Sequence, residues 1–297
     1  MTFGDLQFEA VHEEDVYLIE SFLALSSYQE SNHNIVNLFM WKSWFPLWKH
    51  VNENYLLLLG KYQENYFLYM PLCAAEYRHE ALKAAITLFE RADIPFHLSC
   101  YTEEIKNEVL QLFPDLQVIE IRDGFDYIYE KEKIITLSGK KLQKRRNHLN
   151  YFVKNYEHRV EFCDIKDYLD ECTSFLSNWK SDMKDEFFQN ERMGTEYLLT
   201  HFHLFPAWGA CLLIDGKVEG FIIGSYANED MIQLNVEKAN DEYRGIYQYL
   251  EREFLKSCNM NVKWVNREDD MGYENLRKAK MANQPEYFIK KYVMRAR

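Results

Sequence analysis

The stretch Val265-Asn266-Arg267-Glu268-Asp269-Asp270-Met271-Gly272-Tyr273-Glu274-Asn275-Leu276-Arg277-Lys278-Ala279-Lys280 changes character halfway. Its first residues close VKWVN (262–266), which reads as a strand running out into ions. The later ones space Tyr273, Leu276 and Lys280 along one helical face, with Arg277 beside them. Three apolar runs lie upstream, WGACLLID, GKVEGFIIGSY and DMIQLNVEKA, joined by turn residues at Asp215-Gly216 and 227–230. They read as an antiparallel meander. A basic helix (138–156), the strand HRVEFCD and helices at about 167–182 and 186–204 precede the meander; a helix at 244–257 follows it. The second half therefore runs helices, meander, helix, strand, helix, strand.

The first half alternates strands and helices. LQFEAV (6–11) is a strand and NHNIVNLFMWKSWF a helix. YLLLLGKYQENYFLYMPL gives two strands around Gln63-Glu64-Asn65, and HEALKAAITLFERAD an amphipathic helix. PFHLSC, EEIKNEVLQLF, LQVIEIRD and GFDYIYE continue the pattern, which implies a mixed α/β domain. The start of the basic helix at 138 places a boundary near 130–138, which divides the chain into domains 1–130 and 131–297.

At 297 residues the chain is long for one core, and 47% apolar content fits globular structure. No aliphatic run approaches the roughly 20 residues of a membrane span. MTFGDLQFEAVHEED has no basic start leading into an apolar stretch, so no secretory signal is expected. Six cysteines without a C-x-x-C pair suit reduced thiols, and a cytoplasmic location is expected. No metal site is expected either, since His201 and His203 do not share a helical face. A net charge of −12 argues against generic nucleic-acid binding, and no DNA partner is expected. Yet residues 131–159 hold nine Lys and Arg against two acids, and 276–297 seven against one. Such segments either converge on one anionic ligand or are solvated helix faces.

Four segments, GKKLQKRRNHLNYF (139–152), NVEKANDEYRGIYQ (235–248), VNREDDMGYENLRKAK (265–280) and PEYFIKKY (285–292), together resemble bacterial proteins grouped with the C-terminal domain of phosphatidylglycerol lysyltransferase. The resemblance covers roughly 125–295. It implies a tandem GNAT-like acyltransferase fold akin to the Fem peptidyltransferases: α/β (α+β), with mixed, mostly antiparallel sheets flanked by helices. It also implies transfer of an aminoacyl group from charged tRNA to an amine or hydroxyl on a small-molecule or peptide acceptor. Aminoacyl-tRNA would be the donor, with no bound cofactor.

An acetyltransferase of this fold grips coenzyme A pyrophosphate through an R/Q-x-x-G-x-G/A turn at a helix N-terminus. Here the aligned turn is Glu242-Tyr243-Arg244-Gly245-Ile246-Tyr247, with a carboxylate for the cation and a phenol for the small residue. Coenzyme A in its usual place is disfavoured. Arg244 could compensate in part, and Gly245 reads as a helix-start glycine packed against the strand.

In the basic helix, Arg145 falls within the apolar stripe of Leu142, Leu149, Phe152, Val153 and Tyr156, and Arg146 borders it. A buried guanidinium needs an anion, either a protein acid such as Glu237 or Glu268, or a ligand. Lys140, Lys141 and Lys144 point away, as solvated surface or as a landing patch for tRNA phosphates. Asn147 joins the candidate substrate-binding set. Alternation sends Asn266 and Glu268 to one face and Arg267 to the other; Asp269 or Asp270 suits a helix cap.

Glu237 or Glu268 could serve as general base, and Lys238 or Arg267 could stabilise an oxyanion. Asn266, Asp270, Arg277 and Lys280 would help bind substrate, and Arg244 and Gly245 would meet a cofactor if one were used. Structural salt bridging competes with each role. A coenzyme A-dependent N-acetyltransferase and a non-catalytic module for an anionic ligand are the other readings.

Overall fold

The leucine run 56–59, which has no polar alternation, lies fully buried within one of the two large sheets. Each such leucine contributes roughly 1.5–3 kcal/mol of burial. The computed structural model describes residues 2–3, 6–92, 94–179, 185–258 and 262–296. The chain divides into two units, one of residues 1–125 with 289–297 and the other of 126–288.

In the first unit, β1 (Thr2–Phe3) and β2 (Leu6–Gln7) pair as a two-stranded ribbon, and β3 (Glu9–Ala10) leads to α1 (Val16–Ser26). The expected helix over 32–45 shrinks to α2 (Ile35–Met40), where the Asn34 side chain accepts from the amides of Val36 and Asn37. Strands β4 (Leu47–Val51), β5 (Tyr55–Tyr62) and β6 (Asn65–Leu68) form a meander, with β7 (Leu72–Cys73) added to β5. Then come α3 (Arg78–Ala92), β8 (His97–Tyr101), α4 (Glu103–Leu112) and β9 (Gln117–Glu120).

The second unit repeats this order. Strand β10 (Asp126–Glu130) and a short α5 (Lys131–Thr136), unforeseen in the sequence, lead to the basic helix α6 (Gln143–Tyr156). Next are β11 (Val160–Asp164), α7 (Leu169–Asn178) and α8 (Glu186–Thr200); part of the helix expected over 167–182 lies outside the described residues. The meander is completed by β12 (Ala207–Ile214), β13 (Lys217–Asn228) and β14 (Met231–Ala239). After it come α9 (Ile246–Ser257), β15 (Trp264–Asn266), α10 (Glu274–Ala282) and β16 (Tyr287–Ile289). Strand β17 (Tyr292–Arg295) closes the chain.

The sheet orders are β3-β4-β5-β6-β8-β17-β9 and β11-β12-β13-β14-β15-β10-β16. Each has an antiparallel meander, a helical crossover and a parallel pair, β6 with β8 and β14 with β15. This is the GNAT-like order, twice. The strand inserted next to the parallel pair is exchanged between the sheets: β17 lies between β8 and β9, and β10 between β15 and β16. The terminal residues expected to complete domain 131–297 thus belong to the first unit, because Tyr292 and Met294 pair with β8 and β9.

Candidate functional site

The core of the second unit fixes which side chains share a face. Leu212 and Ile214 of β12, Ile222 of β13, Ile232 and Leu234 of β14 and Val265 of β15 join Leu149 and Phe152 of α6 and Leu250 and Phe254 of α9 in one cluster. On the other face Phe175 of α7 meets Phe221 of β13. Simple alternation from Leu234 would aim Glu237 at the α7 face. A β-bulge intervenes, since Ile223 pairs with Val236 but Gly224 with Leu234. The extra residue, Asn235, shifts the parity of everything after it. Glu237 and Ala239 therefore turn towards α6 and α9.

Strands β14 and β15 pair only from Met231↔Trp264 to Gln233↔Asn266, while β14 continues to Ala239. Beyond that point side chains bridge the two. Arg267, two residues past the core residue Val265, reaches the same face as Glu237, and its Nη2 donates to Glu237 Oε2 at 2.7 Å. Its Nη1 lies 3.1 Å from Glu251 Oε1 of α9, and Arg145 Nη2 of α6 lies 3.6 Å from Glu251 Oε2. The side chains are 11% exposed for Glu237, 2% for Glu251, 18% for Arg267 and 20% for Arg145. Glu237 Oε1 and Arg145 Nε are buried and have no hydrogen-bond partner among the described residues.

Burial pushes the Glu237 carboxyl up to about 7; Arg267 opposes the shift and the Glu251 charge adds to it. Burial also lowers the Arg145 pKa, against the pull of Glu251. For Arg267 burial acts downward as well, but Glu251 and Glu237 outweigh it and hold the pKa above its ordinary value. The result is two cations and two carboxylates, one of them half-protonated near neutrality, at the point where two parallel strands part. Such a carboxyl can exchange a proton at working pH.

Glu251 was not singled out from the sequence, although it sits between Leu250 and Phe254 within the apolar stripe of α9. An acid in such a stripe is a signal of the same kind that marked Arg145.

Other candidates lie elsewhere. Lys238 follows Glu237 and so faces the opposite side, where it meets Glu191 of α8 at 2.6 Å and the Trp179 ring at 4.4 Å. Glu268 also takes the far face and accepts from Gln233 Nε2 at 2.8 Å, with its backbone at φ 59°. Asn266 is buried: its amide donates to Asp126 at 3.1 Å and its oxygen accepts the Glu268 amide at 2.7 Å. Lys280 does not reach outward; its ammonium donates to the Arg267 and Glu268 carbonyls, and burial, then Arg267, lowers its pKa.

Neither Asp269 nor Asp270 caps α10, whose N-cap is Tyr273. Asp270 is fully buried and accepts from Arg277 at 2.8 and 2.7 Å, from the Tyr127 hydroxyl and from the Gly272 amide. Burial would raise its pKa, but these bonds outweigh burial and hold it below the ordinary value. Arg277 is thus committed to structure. Arg146 donates to the carbonyls of Leu137 and Gly139, and Asn147 is exposed.

Gly245, at φ 95°, packs against helix α6 and not a strand; a Cβ there would lie 2.1 Å from the His148 carbonyl oxygen. Arg244 lies 5.0 Å from the Tyr151 ring centroid. The Tyr247 hydroxyl folds back onto Ala239, 3.1 Å from its carbonyl oxygen. Among the described residues no three His, Cys, Asp or Glu are grouped to hold a metal, and no helix is long and apolar enough to cross a membrane.

The model of the family described as phosphatidylglycerol lysyltransferase, C-terminal, matches residues 23–295. The chain belongs to that family. An uncharacterized protein of Mycoplasmoides gallisepticum is 31% identical over 183 residues, which are 61% of this chain and 59% of that protein. The match thus spans about three fifths of that curated relative's length. A conserved protein of unknown function from Bacteroides thetaiotaomicron is similar in structure, with TM-score 0.90 at 26% identity over 98% of this chain and all of the other. The C-terminal domain of a candidate lysylphosphatidylglycerol synthetase from Agrobacterium fabrum shares the fold, with TM-score 0.68 at 13% identity over 96% and 92% of the two chains.

Proposed function

We propose that the chain is an aminoacyl transferase that works in the cytoplasm without a bound cofactor, with Glu237 as its general base and charged tRNA as donor. The observation that carries this reading is Glu237 itself: a carboxyl raised to about 7, held on one oxygen by Arg267, its other oxygen unbonded, at the parting of β14 and β15. An acceptor amine or hydroxyl gives its proton to Glu237 and attacks the ester carbonyl. The new bond to the acyl carbon forms as the bond to the ribose oxygen breaks, and that oxygen takes up a proton. Arg267 lies beside Glu237 and offers positive charge where the carbonyl oxygen becomes negative. Family membership supports an aminoacyl donor; the Agrobacterium relative is named for lysyl transfer to a lipid.

The amides at the start of α9 support a donor other than coenzyme A, because Tyr247 and the close Gly245–His148 approach occupy the region where a pyrophosphate would need room. The test is transfer of labelled amino acids from total charged tRNA to a panel of amines and hydroxyl compounds. Glu237→Gln should lower turnover by about a hundredfold or more with folding intact. Undiminished turnover would overturn the assignment of the base. Thermal stabilisation by acetyl-coenzyme A without turnover of any charged tRNA would overturn the donor.

A further inference from the structure

Helix α6 carries two unlike faces. Inward are Leu149 and Phe152, with Arg145 turned to Glu251. Outward, Lys144, Asn147, Tyr151 and Lys154 recur at spacings of three and four, so they form one strip along the helix. All four are exposed, as are Lys140 and Lys141 in the turn that leads into α6. Among the described residues none of these four lysines is in an ion pair. From 133 to 156 the sequence contains no Asp or Glu, in a chain that carries 47 of them. Arg244 reaches the strip from the turn before α9 by stacking on Tyr151, a residue 41% exposed.

We propose that this strip, Lys140, Lys141, Lys144 and Lys154 with the Tyr151–Arg244 pair, docks the ribose-phosphate backbone of an RNA; the inference rests on the donor assigned above. Length argues for a polymer. Lys144 and Lys154 are ten residues apart, about 15 Å along a helix, which exceeds the reach of one headgroup or a free phosphate. Composition argues for RNA over a membrane surface. An interfacial helix inserts an apolar face into lipid, and the apolar face of α6 is already buried in the core. What remains outside is ammonium, amide and one aromatic ring, a set that contacts phosphates, sugars and an unstacked base. Since a helix is about 10–12 Å across, RNA held on the outer side of α6 would lie within one helix diameter of the cluster that Arg145 joins on the inner side.

The experiment uses the whole chain and fluorescently labelled, uncharged tRNA, titrated over a series of salt concentrations. The quadruple variant K140Q/K141Q/K144Q/K154Q, checked for an unchanged melting temperature, should bind at least about tenfold more weakly at moderate salt. The slope of log Kd against log salt should flatten by roughly 3. Equal affinity and slope for both proteins would overturn the proposal, as would lysine-dependent binding to phosphatidylglycerol vesicles without RNA binding. Glu237→Gln should bind RNA like the parent protein, so failure of the catalytic reading would leave this outcome unaffected.

Discussion

Replacing Glu237 by glutamine should make the protein more stable at alkaline pH while disabling it. The carboxyl has a folded-state pKa of about 7 against an ordinary value of 4.5. The folded protein therefore holds more protons than the unfolded one between those values, and stability falls as pH rises through that window. A displacement of this size corresponds to about 3 kcal/mol at most, a contribution wholly present below pH 4.5 and fully lost above pH 7. Glutamine resembles the protonated acid and does not ionise. The two proteins should thus unfold at similar urea concentrations near pH 5, and the variant should gain about 3 kcal/mol relative to the parent by pH 8. Taking the difference between the two removes the titration of groups that do not interact with Glu237. The same ionisation should appear as an acidic limb near pH 7 in kcat/KM for transfer, lost in the variant. A difference in unfolding free energy that is flat from pH 5 to 8 would refute both the buried-charge argument and the choice of base.

Gly245→Ala should destabilise by at least about 2 kcal/mol in urea unfolding, because a left-handed backbone and a carbonyl oxygen 2.1 Å from the new Cβ act together. Asp270→Asn should cost about 3–5 kcal/mol by the same measurement, since it strands Arg277 and the Tyr127 hydroxyl around a neutral amide. Lys238→Met should lower the melting temperature through loss of the Glu191 pair, yet leave the pH profile of transfer in place, because Lys238 faces away from Glu237. Deleting residues 289–297 should speed amide exchange in β8 and β9, which lose their common neighbour.

Much of the second sheet was legible because its strands obey local rules. WGACLLID, GKVEGFIIGSY and DMIQLNVEKA carry their own alternation and turn residues, and the structure places strands at 207–214, 217–228 and 231–239. Alternation also separated Arg267 from Asn266 and Glu268 correctly. It could not supply the parity of Glu237, which depends on one unpaired residue, Asn235, visible only against its partner strand. Lys280 misled for a related reason. Its place on one helical face with Tyr273 and Leu276 made it a candidate for binding substrate, but the acceptors that it found are backbone carbonyls of Arg267 and Glu268, which leave no trace in residue identity. The closing PEYFIKKY announced a strand without saying which sheet would receive it, because pairing across more than 170 residues is decided by available edges and not by local propensity.

The traded strand also sets an order of events during synthesis. The amino-terminal sheet has a gap between β8 and β9 until residues 292–295 leave the ribosome, after the other unit has been made. At about 5–20 residues per second that interval lasts roughly ten to thirty seconds, during which two strand edges stay open to foreign pairing. A chaperone that shields extended edges should therefore raise the soluble yield more than one that acts on the finished chain.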